Sequence, residues 1–251
     1  MKSWIKIGVG SLCLYLTFLI ATIPASFVID KVKLPKMVKL GVVSGTIWQG
    51  NFDSISIDGV VLKNVSWSIV IPKLLTAELG VDFKLGSQRK ILEPYGKGYA
   101  FVSMNSMGVL DTKLSLPANI AAPKLKRYMV ESLEGMIKLD VASASLGTPY
   151  CGDLTGQVNW QQSALGVMGS QFALGDLNVQ LGCRDGNLTA AVKGDDKVLV
   201  LDGKAELKAK NQAKVDGFVK AGPSADKSLI AAMSFMGKAD QQGRYKISYG
   251  R

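Results

Sequence analysis

Apolar and polar side chains alternate one for one along much of this chain, and a period of two admits little but half-buried β-strand. Val65, Trp67, Ile69 and Ile71 alternate with Ser66, Ser68 and Val70, and Ile137, Leu139 and Val141 alternate with Lys138, Asp140 and Ala142. Ala205, Leu207 and Ala209 oppose Lys204, Glu206, Lys208 and Lys210, while Tyr245, Ile247 and Tyr249 oppose Arg244, Lys246 and Ser248 in a last strand. One wet face and one dry face implies antiparallel pairing. Turn signals separate the runs at Gly86-Ser87, Tyr95-Gly96-Lys97-Gly98, Arg184-Asp185-Gly186-Asn187, Gly194-Asp195-Asp196 and Gln241-Gln242-Gly243.

Helices are expected to be few and short. Pro223-Ser224 opens one with Ser224 as N-cap, and Leu229, Ile230, Met233 and Phe235 or Met236 give it an apolar stripe before Gly237 stops it. Pro123 to Leu133, closed by Gly135, reads as a second, and Pro72 to Leu79, closed by Gly80, as one or two turns. Such helices would cover sheet edges that otherwise present unpaired backbone.

No charged residue occurs from Ile7 to Ile29, a run of 29−7+1 = 23 positions. That length crosses a hydrocarbon core of roughly 30 Å with some tilt. Removal as a signal peptide would need small residues at −3 and −1, but Ile23-Pro24-Ala25 puts Ile at −3 and Thr22-Ile23-Pro24 puts Pro at −1. The segment therefore reads as a retained anchor. Lys2 and Lys6 place the N-terminal tail in the cytoplasm, and a long following domain translocates largely regardless of its charge. The expected organisation is a cytoplasmic tail (1–6), a single N-terminal transmembrane helix (7–29), and a curved antiparallel β-sheet domain over 30–251 in the periplasm. The fold class is mainly β.

Gly45-Thr46-Ile47-Trp48-Gln49 has a faint echo in Gly156-Gln157-Val158-Asn159-Trp160-Gln161, which leaves open two similar halves or one unduplicated sheet.

The net charge of +10 invites a nucleic-acid partner. Its distribution argues against one: Lys204, Lys208, Lys210, Lys214 and Lys220 mostly alternate with Ala, Leu or Val, as on a solvated strand face. Lys31, Lys33, Lys36 and Lys39 directly follow the apolar run, where attraction to anionic head groups is the simpler use of positive charge.

The chain contains no His, so imidazole bases, Ser-His-Asp and Cys-His triads and His-ligated metals are ruled out. Three Cys are too few for a four-thiolate site, and Cys13 lies in the apolar run. Cys151 and Cys183 are the thiols outside the span, in an oxidising compartment, and are expected to form a disulfide. Two strands joined through a Gly-rich connection at Leu165 to Gly175 would bring them together at their outer ends.

Ser224-Ala225-Asp226-Lys227 fits the S-x-x-K pattern of penicillin-recognising enzymes, but its K-T-G and S-D-N partners are missing and helix capping explains Ser224. Asp195-Asp196, between Gly194 and Lys197, reads as a polar turn rather than a metal or acid/base pair. Trp4 suits a membrane interface, and Trp48, Trp67 and Trp160 suit packing better than a carbohydrate platform. No catalytic, cofactor or metal site is expected, and the chain does not read as an enzyme.

Gly45-Thr46-Ile47-Trp48-Gln49-Gly50 follows the anchor after a short spacer, and Val65-Ser66-Trp67 then leads to Pro72 and Leu74-Leu75. Cys151-Gly152 leads to Gly156 and Trp160, Cys183 follows, and Gly237, Asp240 and Gly243-Arg244-Tyr245 close the chain. In this order the sequence resembles the type II secretion system protein N family of Gram-negative bacteria over essentially its whole length. The resemblance implies an accessory inner-membrane component that helps export folded proteins from the periplasm by contacts with other inner-membrane components of that system. It implies no activity and no cofactor. The residues themselves also allow a periplasmic lipid-handling protein, in which the dry face around Ala205, Leu207 and Ala209 lines a groove for acyl chains.

Overall fold

A computed structural model describes residues 2–29, 31, 35, 37–87, 93–125, 129–167 and 169–250. The chain divides into two compact units, Met1–Gly86 and Ser87–Arg251.

The first unit opens with helix α1 (Lys2–Ala21) and a one-turn helix α2 (Ala25–Ile29). The helix expected over 7–29 is therefore interrupted after Ala21. Pro24 explains the break, since it lacks an N–H and disfavours helical backbone at Ile23 before it. The Thr22 hydroxyl donates to the Phe18 carbonyl at 2.8 Å and satisfies part of the helix end. The charge-free part of α1, Ile7 to Ala21, is 21−7+1 = 15 residues, roughly 22 Å of helix at 1.5 Å per residue. Among the described residues no helix is long and apolar enough to cross a membrane.

Strands β1 (Val38–Leu40), β2 (Val43–Gly45), β3 (Gln49–Ile57), β4 (Val60–Ile69) and β5 (Leu79–Leu85) follow, with helix α3 (Ile71–Leu74) between the last two. All pair antiparallel in the order β1-β3-β4-β5, with β2 also on β3. At one end of this sheet lies the Asp58-Gly59 turn between β3 and β4, and at the other lie the bend between β2 and β3 and the exit of β4 into α3.

The second unit contains β6 (Tyr95–Val102), β7 (Met107–Pro117), a 3-10 turn (Ala118–Ala121), α4 (Ala122–Leu125), β8 (Val130–Leu146), β9 (Cys151–Val167) and β10 (Ser170–Arg184). It continues with β11 (Asn187–Lys193), β12 (Leu199–Lys208), β13 (Gln212–Ala221), α5 (Lys227–Ser234) and β14 (Tyr245–Gly250). Each strand from β6 to β14 pairs antiparallel with the next, and the order does not close on itself. This is the pairing that the alternation demands, because a one-residue slip would turn every apolar side chain to water. Val141 is buried while Lys138 and Ala142 are exposed.

The core is thin and lies in two patches. Leu229 and Met233 of α5 are buried against Leu174 of β10, Leu199 of β12 and Val219 of β13. Full burial of each such side chain stabilises by about 1.5–3 kcal/mol. Ala118, Ala122 and Leu133 form the second patch, with Trp160 and Leu165 against it.

Several local expectations change. Helix α5 starts at Lys227 with Asp226 in the N-cap position, so Ser224 lies outside it, and of the expected stripe Ile230, Phe235 and Met236 stay exposed. The helix expected over Pro123 to Leu133 covers only Pro123 to Leu125 in α4. Lys126, Arg127 and Tyr128 lie outside the described residues, and Leu133 and Gly135 belong to β8. Gly135, at φ +96°, sits at a register shift between Glu134 and Met136, so its glycine signals a β-bulge rather than a helix end. Gly80 likewise lies in β5, and the helix before it is the single turn α3. Tyr95 to Gly98 are strand, not turn. The turns at Arg184-Asp185-Gly186-Asn187, Gly194-Asp195-Asp196 and Gln241-Gln242-Gly243 occur as read. Lys33 and Lys36 lie outside the described residues.

Candidate functional site

The run from Gly45 to Gly50 turns the chain between β2 and β3, and each residue has a structural task. Gly45 holds φ +97°, a left-handed conformation that L side chains avoid. The Thr46 amide donates to the Gln49 carbonyl at 2.8 Å to close the bend. The Ile47 amide donates to the Ile23 carbonyl at 3.1 Å, and the Trp48 indole N–H donates to the Ile20 carbonyl at 2.9 Å. Carbonyls in a helix's last turn lack partners within the regular helix, and Trp48 gives that of Ile20 a shorter bond than the 3.5 Å one from the Ile23 amide. The Trp67 indole donates to the Ile47 carbonyl at 3.2 Å, and its ring packs on Phe52 with centroids 4.8 Å apart. Gly50 faces that ring, where a Cβ would overlap it. The motif thus fastens the end of α1 to the first sheet.

In the second unit, the ladder lines up one apolar row across successive strands. Ala100 pairs with Val109, Val109 with Ala144, and Ala144 with Leu154. Cys183 pairs with Leu188, Leu188 with Leu207, and Leu207 with Ala213. These side chains are half-buried. At the strand ends, Val102, Met107, Leu146 and Tyr150 join part of this row to form an almost wholly apolar groove of about 480 Å³. Met104, in the turn between β6 and β7, is 89% exposed.

Cys151 and Cys183 are joined in a disulfide beside this groove, with Cα atoms 6.1 Å apart. Cys151 opens β9 and Cys183 lies at the far end of β10. The strands are not joined by a long Leu165 to Gly175 connection, because β9 runs to Val167 and β10 starts at Ser170. The amides of Tyr150 and Cys151 both donate to the Gly186 carbonyl, at 3.1 and 3.2 Å, which packs the β8–β9 loop on the β10–β11 turn.

Asp240 organises the turn before β14. Its carboxylate accepts from the amides of Gln242 and Arg244, each at 2.9 Å, and from the Arg244 Nε at 2.7 Å. The Arg244 backbone N–H, then its guanidinium, hold the Asp240 carboxyl below the ordinary value. The same guanidinium stacks on the Phe218 ring at 4.7 Å. Gly237, Asp240 and Gly243-Arg244-Tyr245 carry the resemblance at this end, and the structure gives Asp240 and Arg244 this role. A D-x-x-x-R spacing across a Gly turn is the signal that would have found it.

The S-x-x-K run lies at the entry to α5. Ser224 precedes α5 and its amide donates to the Lys197 carbonyl at 2.7 Å, whereas Lys227 begins the helix. Asp195 accepts the Lys197 amide at 2.9 Å, as in a polar turn. Among the described residues, no three His, Cys, Asp or Glu side chains are placed to hold a metal. Trp160 donates to the Glu134 carbonyl at 2.8 Å from mid-β9, while Trp48 sits in a bend, so the two echoing segments have different local settings.

A family model described as type II secretion system (T2SS), protein N matches residues 36–248. A type II secretion system protein N from Aeromonas hydrophila is 27% identical over 253 residues, covering 99% of this chain and 98% of that protein. Proteins of the same name from Vibrio cholerae serotype O1 (25% over 250 residues, 99% and 98% covered) and Klebsiella pneumoniae (27% over 249 residues, 97% and 94% covered) are also similar. No solved structure matches.

Proposed function

Because this chain belongs to the type II secretion system protein N family, we propose that it is an accessory, non-enzymatic inner-membrane component. In this reading it helps export folded proteins from the periplasm through contacts with other inner-membrane components of the system. The family match over 36–248 is the observation that carries this reading.

The anchor reading rests on α1. Leu14, Tyr15, Leu16, Phe18, Leu19 and Ile20 are all exposed, and consecutive helical residues point about 100° apart. An apolar surface on every side of a helix suits lipid, not a half-buried protein face. Lys6 at its start can extend toward head groups, which lengthens the span beyond the 15 charge-free residues. The sequence positions of Lys2 and Lys6 favour a cytoplasmic N-terminus with the β units in the periplasm.

Deleting the gene and measuring how much of a secreted substrate stays in the periplasm tests the reading. Retention that is reversed by the full chain, but not by a chain lacking residues 1–29, is expected. Unchanged export under every growth condition that activates the system would refute it.

The apolar row and groove favour a second reading, a periplasmic lipid-handling protein. Half-buried apolar side chains aligned across strands are the shape an acyl chain needs. Mass spectrometry of lipid extracted from the purified chain separates the readings: stoichiometric acyl chains that disappear on Leu154→Glu would support lipid handling.

A further inference from the structure

We propose that the turn around α3, with Ile71, Leu74, Leu75 and Leu79, is a second membrane contact that dips into the bilayer surface where α1 leaves it. The inference rests on the anchor reading above and adds a surface to it.

The hydrogen bonds of the first unit carry the argument. Trp48 donates its indole N–H to the Ile20 carbonyl, one residue before the helix ends. The Trp48 carbonyl in turn accepts the Ile69 amide at 2.7 Å, and Ile69 is the last residue of β4. The Val70 amide donates to the Gly80 carbonyl at 2.9 Å, which brings the start of β5 to the same place. One end of the sheet therefore receives α1 and emits α3. The opposite end is the Asp58-Gly59 turn.

At the α1 end the loop is apolar and uncovered. Ile71 is 59%, Leu74 40%, Leu75 90% and Leu79 43% exposed. Lys73 and Glu78 pair at 3.4 Å between them, which keeps their charges together at the margin. Four large aliphatic side chains within nine residues, held beside the end of an apolar helix, would be a liability in water. In the head-group and acyl boundary they bury, as interfacial segments do over a depth of about 5–10 Å. Phe27 of α2 is also exposed, with the Lys31 ammonium 5.0 Å from its ring, an aromatic and basic pairing suited to the same layer.

The full chain tests this with Cys13→Ser as background, since Cys151 and Cys183 are bonded. Leu75→Cys, Ile71→Cys, Leu16→Cys and Val61→Cys are each labelled with an environment-sensitive nitrobenzoxadiazole dye. The proteins are reconstituted in phosphatidylethanolamine–phosphatidylglycerol vesicles carrying a shallow spin-labelled lipid. A residue in the boundary layer should lose about half its emission or more to the quencher, as an interfacial depth requires. Quenching at positions 16, 71 and 75, with none at 61 near the opposite end, is the expected result. Quenching at 16 with water-like emission at 71 and 75 would overturn the inference and leave the anchor standing. An emission shift at 71 and 75 that lipid does not quench would assign the loop to a protein and also overturn it. Absence of quenching at 16 as well would remove the anchor reading and this inference with it.

Discussion

Trp48 binds Ile20: an indole N–H in the bend between β2 and β3 donates to a carbonyl in the last turn of α1 at 2.9 Å. A side chain 28 residues on thus adds a short bond to a helix-end carbonyl that also accepts the Ile23 amide at 3.5 Å. Trp48→Phe keeps a ring and deletes the donor. The expected cost is about 1 kcal/mol, or roughly fivefold more opening of the joint between helix and sheet. Limited proteolysis between residues 22 and 45 should accelerate by that factor while circular dichroism stays unchanged.

Gly50 leaves room for Trp67. A methyl group there would meet the indole ring and the Ser44 carbonyl, so Gly50→Ala must displace the ring from Phe52 or the strand from its ladder. Overpacking of this kind costs about 1–3 kcal/mol. Thermal melting followed by tryptophan fluorescence should shift downward, and Gly8→Ala, in open space, should leave it unmoved.

The bond between Cys151 and Cys183 closes a loop with a sequence separation of 32. Replacing both by Ser is expected to destabilise the second unit by roughly 3–4 kcal/mol through the added freedom of the unfolded chain. Denaturant titration of the double variant should match that of the reduced native chain. Equal stability with and without reductant would contradict the prediction.

Asp240 gives a pH signature. Its carboxyl lies below the ordinary value when folded, because the Arg244 amide and guanidinium favour the charged form. The stabilisation is present above the unfolded pKa of about 4 and is lost as pH falls through the lower folded value. Asp240→Asn should therefore melt below the native chain at neutral pH, and the gap should close under acid. A gap that persists at low pH would show that packing, not charge, sets the difference.

Ser224 precedes α5 and Lys227 begins it, which suits a helix entry better than the proposed alternative of a catalytic pair. Ser224→Ala and Lys227→Ala are expected to leave export unchanged in a complementation assay.

The sheet was legible because strand alternation is a local property that antiparallel pairing then enforces. Val65 to Ile69 and Ile137 to Val141 read as strands from their side chains alone, and they are strands. Glycine misled wherever one residue type serves two geometries: Gly135 was expected to stop a helix and instead bulges β8, and Gly96 and Gly98 lie inside β6. The Gly45 to Gly50 run was visible as a motif but not as a fastening, because its partners Ile20 and Ile23 are distant in sequence and offer only backbone carbonyls. The apolar row from Ala100 to Ala213 was invisible for a related reason. It runs across the strands, and only the register aligns its members.

The central claim is that this chain works inside the secretion machine through protein contacts. Its most direct test is isolation of the full chain from membranes in mild detergent, with quantitative mass spectrometry of co-purifying protein and lipid. The preparation is compared with one from a strain lacking the other inner-membrane components of the system. Those components should be enriched at near-stoichiometric levels in the first strain, with lipid content equal in both. Their absence, together with one tightly held acyl lipid per chain in both strains, would contradict the account.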